Sequence, residues 1–428
     1  MAVTARAVAL AALAALAACN TRPATTADPP KPPAPAPVAS SLALDSGAPP
    51  EAPGAGGLNH VLCTGQSLST GTGGRPVLST AQPFDALMFA AGVRPAADAG
   101  LDDLAPLVES GQETMSTSFA ALVHELGGER HRLLVSCHGV GGIAYAGLKK
   151  GTPPYARGLD QVAAGARLAR ARGLPYVVRA VTNVHGETDH VLQNADYEKN
   201  LADWQAAYER DVRAITGQTE PIPMLHSQVS SWTKFGHATS GIPSAQLAAS
   251  IASGGKLVMV GPKYHLAYAR DGIHLSNDGY RAMGEMYAKV YRRVVLEGKR
   301  WEPLRPLSAT LTGDTIRVVF HVPAPPLVLD TDLVAKVDAY GFEYTDDSAS
   351  PPTIAAVALD GPDAVKIRLS APPTAAGRRV RYAFTGAPNA KGGPREGPRG
   401  NLRDSDDTRS RLGVPLHDWA VHFDETVR

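Results

Sequence analysis

Five short apolar runs restrict the fold of this chain more than any other feature. They are His60 to Thr64, Arg132 to Ser136, Tyr176 to Thr182, Pro223 to Gln228 and Lys256 to Val260. Runs of this length, with no sustained polar alternation, predict strands buried on both faces. Between and after them lie stretches with helical spacing: Met115 to Leu126, Tyr155 to Arg172, Asp196 to Ile215 and Asn277 to Glu297. In the second of these Leu159, Val162, Ala166 and Ala169 share one face. Strands alternating with helices require right-handed crossovers, so the expectation is an α/β body with a parallel sheet covered on both sides.

After about Trp301 the pattern changes. Thr315 to Val322, Ile354 to Leu359, Val365 to Leu369, Arg379 to Thr385 and Trp419 to Phe423 are short, alternating or apolar, and separated by turn residues. They predict a C-terminal β-sandwich domain. The division expected from these shifts is an α/β body over 58–300 and a sandwich over 301–428.

The first 57 residues read differently. Arg6 precedes an apolar run from Ala7, and Leu16-Ala17-Ala18-Cys19 closes it. A short apolar segment ending in small residues and a cysteine predicts a bacterial lipoprotein signal over 1–19, with Cys19 as the lipidated residue. Asn20 follows, and outer-membrane anchoring is the expected fate where the organism has two membranes. The acyl chains would hold the protein on the membrane, without insertion. Residues 20–57 are crowded with proline and alanine and lack periodicity, which predicts an extended linker.

The formal net charge of +1 on 428 residues gives no electrostatic case for nucleic acid as a partner. Cys63 and Cys137 are the remaining cysteines, each near the end of a predicted strand. Side by side on neighbouring strands they are poorly placed for a disulfide, so two buried thiols are expected.

The polar signatures fall at the C-terminal ends of the predicted strands, where sites of open α/β sheets form. Gly65-Gln66-Ser67 follows the first strand. Asp271-Gly272-Ile273-His274 precedes the last helix, about 200 residues later. A serine hydroxyl is a weak nucleophile until a base takes its proton. His274 is the candidate base, and Asp271 the group that orients it and stabilises its imidazolium. Acyl transfer also needs donors aimed at the developing oxyanion. The backbone N–H of Ser67 is one candidate, and Gly142, after the second strand, is another. A side chain at the end of the third strand would be a further donor, with His185 preferred and Asn183 the alternative. This chemistry needs no cofactor, and no spacing of His, Cys, Asp and Glu suggests a metal site.

The segments Gly65-Gln66-Ser67-Leu68-Ser69, Gly139-Val140-Gly141-Gly142, His185-Gly186-Glu187-Thr188-Asp189 and Asp271-Gly272-Ile273-His274-Leu275 resemble the signature blocks of the SGNH hydrolase superfamily. The similarity is to the branch of sialate O-acetylesterases and acetyl xylan esterases, and it covers roughly residues 58 to 297. The resemblance implies a flavodoxin-like three-layer α/β/α domain, with Ser67 as nucleophile, His274 as base, Asp271 as its orienting partner and Gly142 as an oxyanion donor. Gln66 and Glu187 would support the site. The implied activity is a serine esterase that removes small acyl groups from a carbohydrate. The branch usually carries Gln where this chain has His185.

Glu187 and Asp189 also suggest a carboxylate pair of the glycosidase kind, but nothing else in the chain serves that role. Glu187 is expected to be buried and to brace the loops, and Asp189 to sit at the rim or cap a turn. His138 and His190 are near enough in sequence to line the site. Glu113 reads as part of a capping turn or as a lining residue of the entrance. The alternatives to an esterase acting on sugars are a non-catalytic carbohydrate-binding lipoprotein and a lipase or peptidoglycan-directed hydrolase on the same fold.

Overall fold

The computed structural model describes residues 56–127 and 131–428. The lipidation site expected at Cys19 and nearly all of the 20–57 linker lie outside these residues.

The central sheet contains β1 (Leu58–Gly65), β2 (Leu87–Phe89), β3 (Leu104–Pro106), β4 (Leu133–Cys137), β5 (Tyr176–Val184), β6 (Met224–Ser227) and β7 (Leu257–Gly261). Their spatial order is β3-β2-β4-β1-β5-β6-β7. The five long strands β4, β1, β5, β6 and β7 are parallel. Numbered in chain order among themselves they read 2-1-3-4-5, the doubly wound arrangement whose crevice opens where β1 and β5 diverge. At one edge β2 runs parallel to β4 and β3 returns antiparallel to β2.

Alternate residues of each strand feed opposite faces. Val61, Ala180, Leu225 and Val258 pack with Phe119, Met283 and Tyr287. Those partners come from α1 (Ser116–Gly127) and the helix at 277–291. Leu62, Val181, Met224 and Leu257 pack instead with Val162, Trp204 and Tyr208, from α2 (Pro153–Ala171) and the helix at 197–216. The remaining helices, in chain order, are α3 (Glu187–Val191), α4 (Tyr197–Thr216), α5 (Ile242–Ala252) and α6 (Asn277–Tyr291). The helix expected to run to Glu297 changes to a π turn over Arg292–Leu296. Among the described residues no helix is long and apolar enough to cross a membrane.

Beyond α6 the chain forms β8 (Arg305–Thr312), β9 (Thr315–His321), β10 (Val328–Leu329), β11 (Phe342–Thr345), β12 (Ile354–Leu359), β13 (Ala364–Leu369), β14 (Arg379–Tyr382), β15 (Leu402–Arg403) and β16 (Phe423–Thr426). The antiparallel sheets β12-β13-β9-β8 and β11-β14-β16 share one core containing Ile316, Val318, Ile367, Phe342, Tyr382 and Phe423. The expected α/β body and β-rich C-terminal part are therefore both present.

The strand expected over Trp419 to Phe423 begins only at Phe423. The preceding backbone is divided between the two parts: Trp419 makes a single antiparallel bridge with Arg403, Ala420 N–H donates to Leu402 C=O and Val421 N–H to Leu304 C=O, while other groups turn to the α/β body. His422 N–H donates to Gln228 Oε1 at 2.8 Å, and Gln228 Nε2 donates back to His422 C=O at 3.0 Å. The Tyr264 hydroxyl donates to Ala420 C=O at 2.8 Å. Lys289 Nζ reaches Leu416 C=O, Asp406 and Asp418. A buried backbone with these partners has no need of a ladder.

Candidate active site

β1 ends at Gly65, whose φ of +125° admits few other residues. A Cβ there would overlap the Val184 carbonyl oxygen at the end of β5. The turn therefore closes tightly and presents Ser67, 4% exposed, at the crevice between the two strands. Ser69 Oγ donates to Gln66 C=O at 2.7 Å, and Thr70 Oγ1 to Ser67 C=O at 2.9 Å, which fixes the turn.

Asp271 and His274 arrive on a small hairpin. Tyr268 bridges Leu275. Ala269 N–H donates to His274 C=O at 2.8 Å, and Gly272 N–H to Ala269 C=O at 3.0 Å. Asp271 Oδ1 accepts from the N–H groups of Ile273 and His274 at 2.9 and 3.0 Å, an Asx turn that locks its own side chain. The other oxygen, Oδ2, lies 2.6 Å from His274 Nδ1, and His274 Nε2 lies 2.8 Å from Ser67 Oγ. The hydrogen bond to the carboxylate makes Nδ1 the protonated nitrogen, so Nε2 is the acceptor facing the serine. Burial pushes the Asp271 carboxyl up, but the His274 hydrogen bond and charge and the two backbone donors outweigh it and hold it below its ordinary value. The structure thus brings Ser67, His274 and Asp271 together in the geometry of a nucleophile, base and orienting acid.

The loop after β4 lies over the serine. Val140 N–H donates to Gly65 C=O at 3.0 Å, and a Cβ on Gly141 would stand 3.7 Å from Ser67 Cβ. Gly142 is buried with φ +72°. Among the described residues the N–H groups of Ser67 and Gly142 donate to no protein acceptor, which leaves both available to an oxyanion.

His185 is turned away from the role expected of it. Its Nε2 lies 3.0 Å from the Ile143 carbonyl, and its Nδ1 lies 2.7 Å from the Tyr197 hydroxyl. A carbonyl only accepts, so Nε2 carries the proton and Nδ1 accepts from Tyr197. Burial lowers the imidazole pKa against the pull of Asp189, Ile143 and Glu187. With both nitrogens bonded to protein, no N–H is left for substrate. Asn183 does not replace it, because its amide donates to the Met224 sulfur inside the sheet at 3.4 Å. His185 instead ties the 143 loop to α4.

The supporting residues act between loops. Gln66 Oε1 accepts from Thr188 N–H at 3.3 Å, joining the nucleophile turn to α3. Glu187 is fully buried, as expected, and faces Lys263 Nζ at 3.5 Å. Lys263 also donates to Gln228 C=O at 2.7 Å, and burial lowers its pKa against the pull of Glu187. Sequence reasoning passed over this lysine. Its signal was a lone charge directly after the apolar run of β7. Asp189 is buried, not at the rim; it accepts from Tyr145 N–H at 2.8 Å and from Asn194 at 2.6 Å. His138 is buried against the Tyr208 hydroxyl at 2.6 Å. His190 is buried beside His237, and burial, then His237, pushes its pKa down to about 4. Glu113 accepts from Leu78 N–H, Ser79 N–H and the Ser79 hydroxyl and so holds that turn. Cys63 and Cys137 are buried free thiols at paired positions of β1 and β4. No group of metal-ligating side chains occurs among the described residues.

No family model matches the sequence, and no curated protein matches it. Among solved structures, that of a carbohydrate acetylesterase from Xanthomonas citri is similar with a TM-score of 0.56 and 16% identity, over 86% of this chain and 80% of that one. NanS gives 0.42 and 14%, over 55% and 97% of the two chains. A carbohydrate acetylesterase family member from Sinorhizobium meliloti gives 0.32 and 16%, over 56% and 99%. The first of these shares its overall fold with this chain, and the shared region extends past the parallel body into the antiparallel sheets.

Proposed function

We propose that the protein is a serine esterase that removes small acyl groups, acetyl foremost, from a carbohydrate. The observation that carries the reading is the unbroken line of hydrogen bonds from Asp271 through His274 to Ser67. Ser67 Oγ attacks the ester carbonyl while its proton passes to His274 Nε2. The tetrahedral oxyanion accepts from the N–H groups of Ser67 and Gly142. The proton then goes to the departing sugar oxygen, and the C–O bond to the alcohol breaks, leaving an acyl-Ser67 ester. Water, deprotonated by His274, attacks that ester and returns Ser67 to its starting state. The acetyl and carbohydrate parts of the proposal draw on the acetylesterase from Xanthomonas citri, whose fold this chain shares.

A lipid anchor on Cys19 would hold this activity at a bacterial envelope, with residues 20–57 as the spacer; the Leu16-Ala17-Ala18-Cys19 segment supports that part.

Hydrolysis of p-nitrophenyl esters from acetate to octanoate, by the wild type and by Ser67→Ala, tests the proposal. Turnover of acetate that falls with chain length and disappears in the variant is expected. Equal turnover by the variant would end the assignment, and a preference for octanoate would favour the lipase reading.

A further inference from the structure

Part of the C-terminal region reaches the hairpin that carries Asp271 and His274. The hairpin tip is Gly272, with φ +70°. Gly392 N–H donates to the Gly272 carbonyl at 2.8 Å. Lys391 lies over the same tip, so that a Cβ on Gly272 would overlap the Lys391 Cβ and Cγ. Tyr268, at the hairpin base, packs under Gly392, where a Cβ would come within 2.7 Å of its ring. The tip is therefore clamped from outside the parallel body, one residue from Asp271.

The same segment grips a second loop of the body. Asn389 N–H donates to Thr233 C=O at 2.6 Å, and Gly386 N–H to Ala238 C=O at 2.9 Å. Thr233 Oγ1 donates to Ala390 C=O at 2.9 Å. That loop carries Phe235 and His237, whose rings pack on His190.

We propose that the Lys391–Gly392 segment is a positioning element of the triad, a proposal that rests on the esterase reading. The Asp271 side chain is 27% exposed, and the hairpin bearing it extends beyond the sheet. Its Asx turn fixes the side chain relative to the hairpin but does not fix the hairpin relative to Ser67. Gly73 and the core packing of Leu275 hold the hairpin at its base, and the contact from Gly392 and Lys391 adds the constraint at its tip. A misplacement of about 1 Å in a reacting group costs on the order of 100-fold in rate.

The test uses the full chain and two charge-neutral substitutions. Gly392→Pro deletes the N–H that Gly272 accepts. Gly392→Ala keeps it but presses a methyl on Tyr268. For each, kcat and KM on an acetyl ester, the NMR chemical shift of the His274 Nδ1 proton and the urea unfolding midpoint are measured. The expected result is a fall in kcat of about 30-fold or more with KM little changed. The His274 Nδ1 proton resonance should move upfield as its 2.6 Å hydrogen bond to Asp271 lengthens. The unfolding midpoint should stay close to that of the wild type. A folded Gly392→Pro protein with unchanged kcat and an unchanged His274 Nδ1 proton resonance would overturn the proposal, and Gly392→Ala decides alone should the proline variant not fold. A wild-type protein without esterase activity would sink the esterase reading. The His274 Nδ1 proton resonance would still decide whether this segment sets the Asp271–His274 pair.

Discussion

The Lys263 ammonium and the Glu187 carboxylate stand 3.5 Å apart, with side chains 1% and 0% exposed. They join the segment after β7 to the start of α3, beside Thr188, whose N–H donates to Gln66 of the nucleophile turn. Removing one member leaves the other charge buried and unpaired, which costs about 3–5 kcal/mol. Lys263→Met should therefore lose roughly that much stability in urea unfolding. The double variant Lys263→Met/Glu187→Gln should recover most of it. Equal losses in the single and double variants would show that packing, not charge, is what the lysine supplies.

Ser67→Ala and His274→Ala should each lower kcat on an acetyl ester by roughly ten-thousand-fold or more. Asp271→Asn should approach the same loss, because an amide at that place no longer fixes Nδ1 as the protonated nitrogen. Combining Ser67→Ala with His274→Ala should add almost nothing. Additive losses in the double variant would mean that the two groups do not work as one unit.

His185 separates a structural tie from an oxyanion donor. His185→Phe strands the Ile143 carbonyl and the Tyr197 hydroxyl and should cost about 1–3 kcal/mol of stability. Its effect on kcat should stay below about 10-fold, against the 100- to 1000-fold typical of a lost oxyanion donor. A larger kcat loss with normal stability would restore His185 to the oxyanion site.

Stability should climb from pH 4.5 to 6.5. Burial holds His60, His226, His265 and His422 neutral, each pushed down to about 3. Below its ordinary value near 6.5 the unfolded chain protonates these rings and the folded chain does not, so each adds up to about 1.4 kcal/mol per pH unit to the slope. Glu109 and Asp418 oppose this, since burial raises both to about 7 and the folded chain keeps protons that the unfolded chain releases. His131, His138, His185, His190 and His417, also lowered by burial, act with the four rings, and Glu285, Asp404 and Glu425, also raised by burial, act with the two carboxyls, so nine rings against five carboxyls leave a net rise. Urea unfolding at pH 4.5, 5.5 and 6.5 measures it, and a maximum at pH 4.5 would contradict the sign.

The parts of the fold most legible in the sequence were those buried on two sides. The runs that became β1, β4, β5, β6 and β7 are mostly apolar because parallel strands here contact helices on both faces. Strands β2 and β3 were missed, since three residues each carry no period. The stretch at 419–422 looked like a strand because it is apolar, but its backbone splits its partners between Arg403, Leu402 and Leu304 on one side and Gln228 and Tyr264 of the body on the other, a long-range fact no local pattern carries. In the site, Ser67, Asp271 and His274 could be picked out because type and spacing fixed their roles. His185 was misjudged because its Tyr197 and Ile143 partners are set by helix packing and loop path. The order of residues along β5 does not encode them.

The contacts between the body and the C-terminal sheets divide unevenly between side chain and main chain. Gln228, Tyr264 and Thr233 on the body hold the other side largely by its main chain, at His422, Ala420 and Ala390, and Gly272 receives a main-chain N–H from Gly392. Every amino acid carries a carbonyl, and every one but proline an amide hydrogen. At these places the C-terminal part can change in sequence and stay latched, provided it keeps its path, whereas Asp406 and Asp418, held by Lys289, and His422, whose ring meets Ser230, are as constrained as the body side chains that grip the tail. Recombining the two halves of distant relatives should succeed or fail according to whether body and tail match at these few side chains.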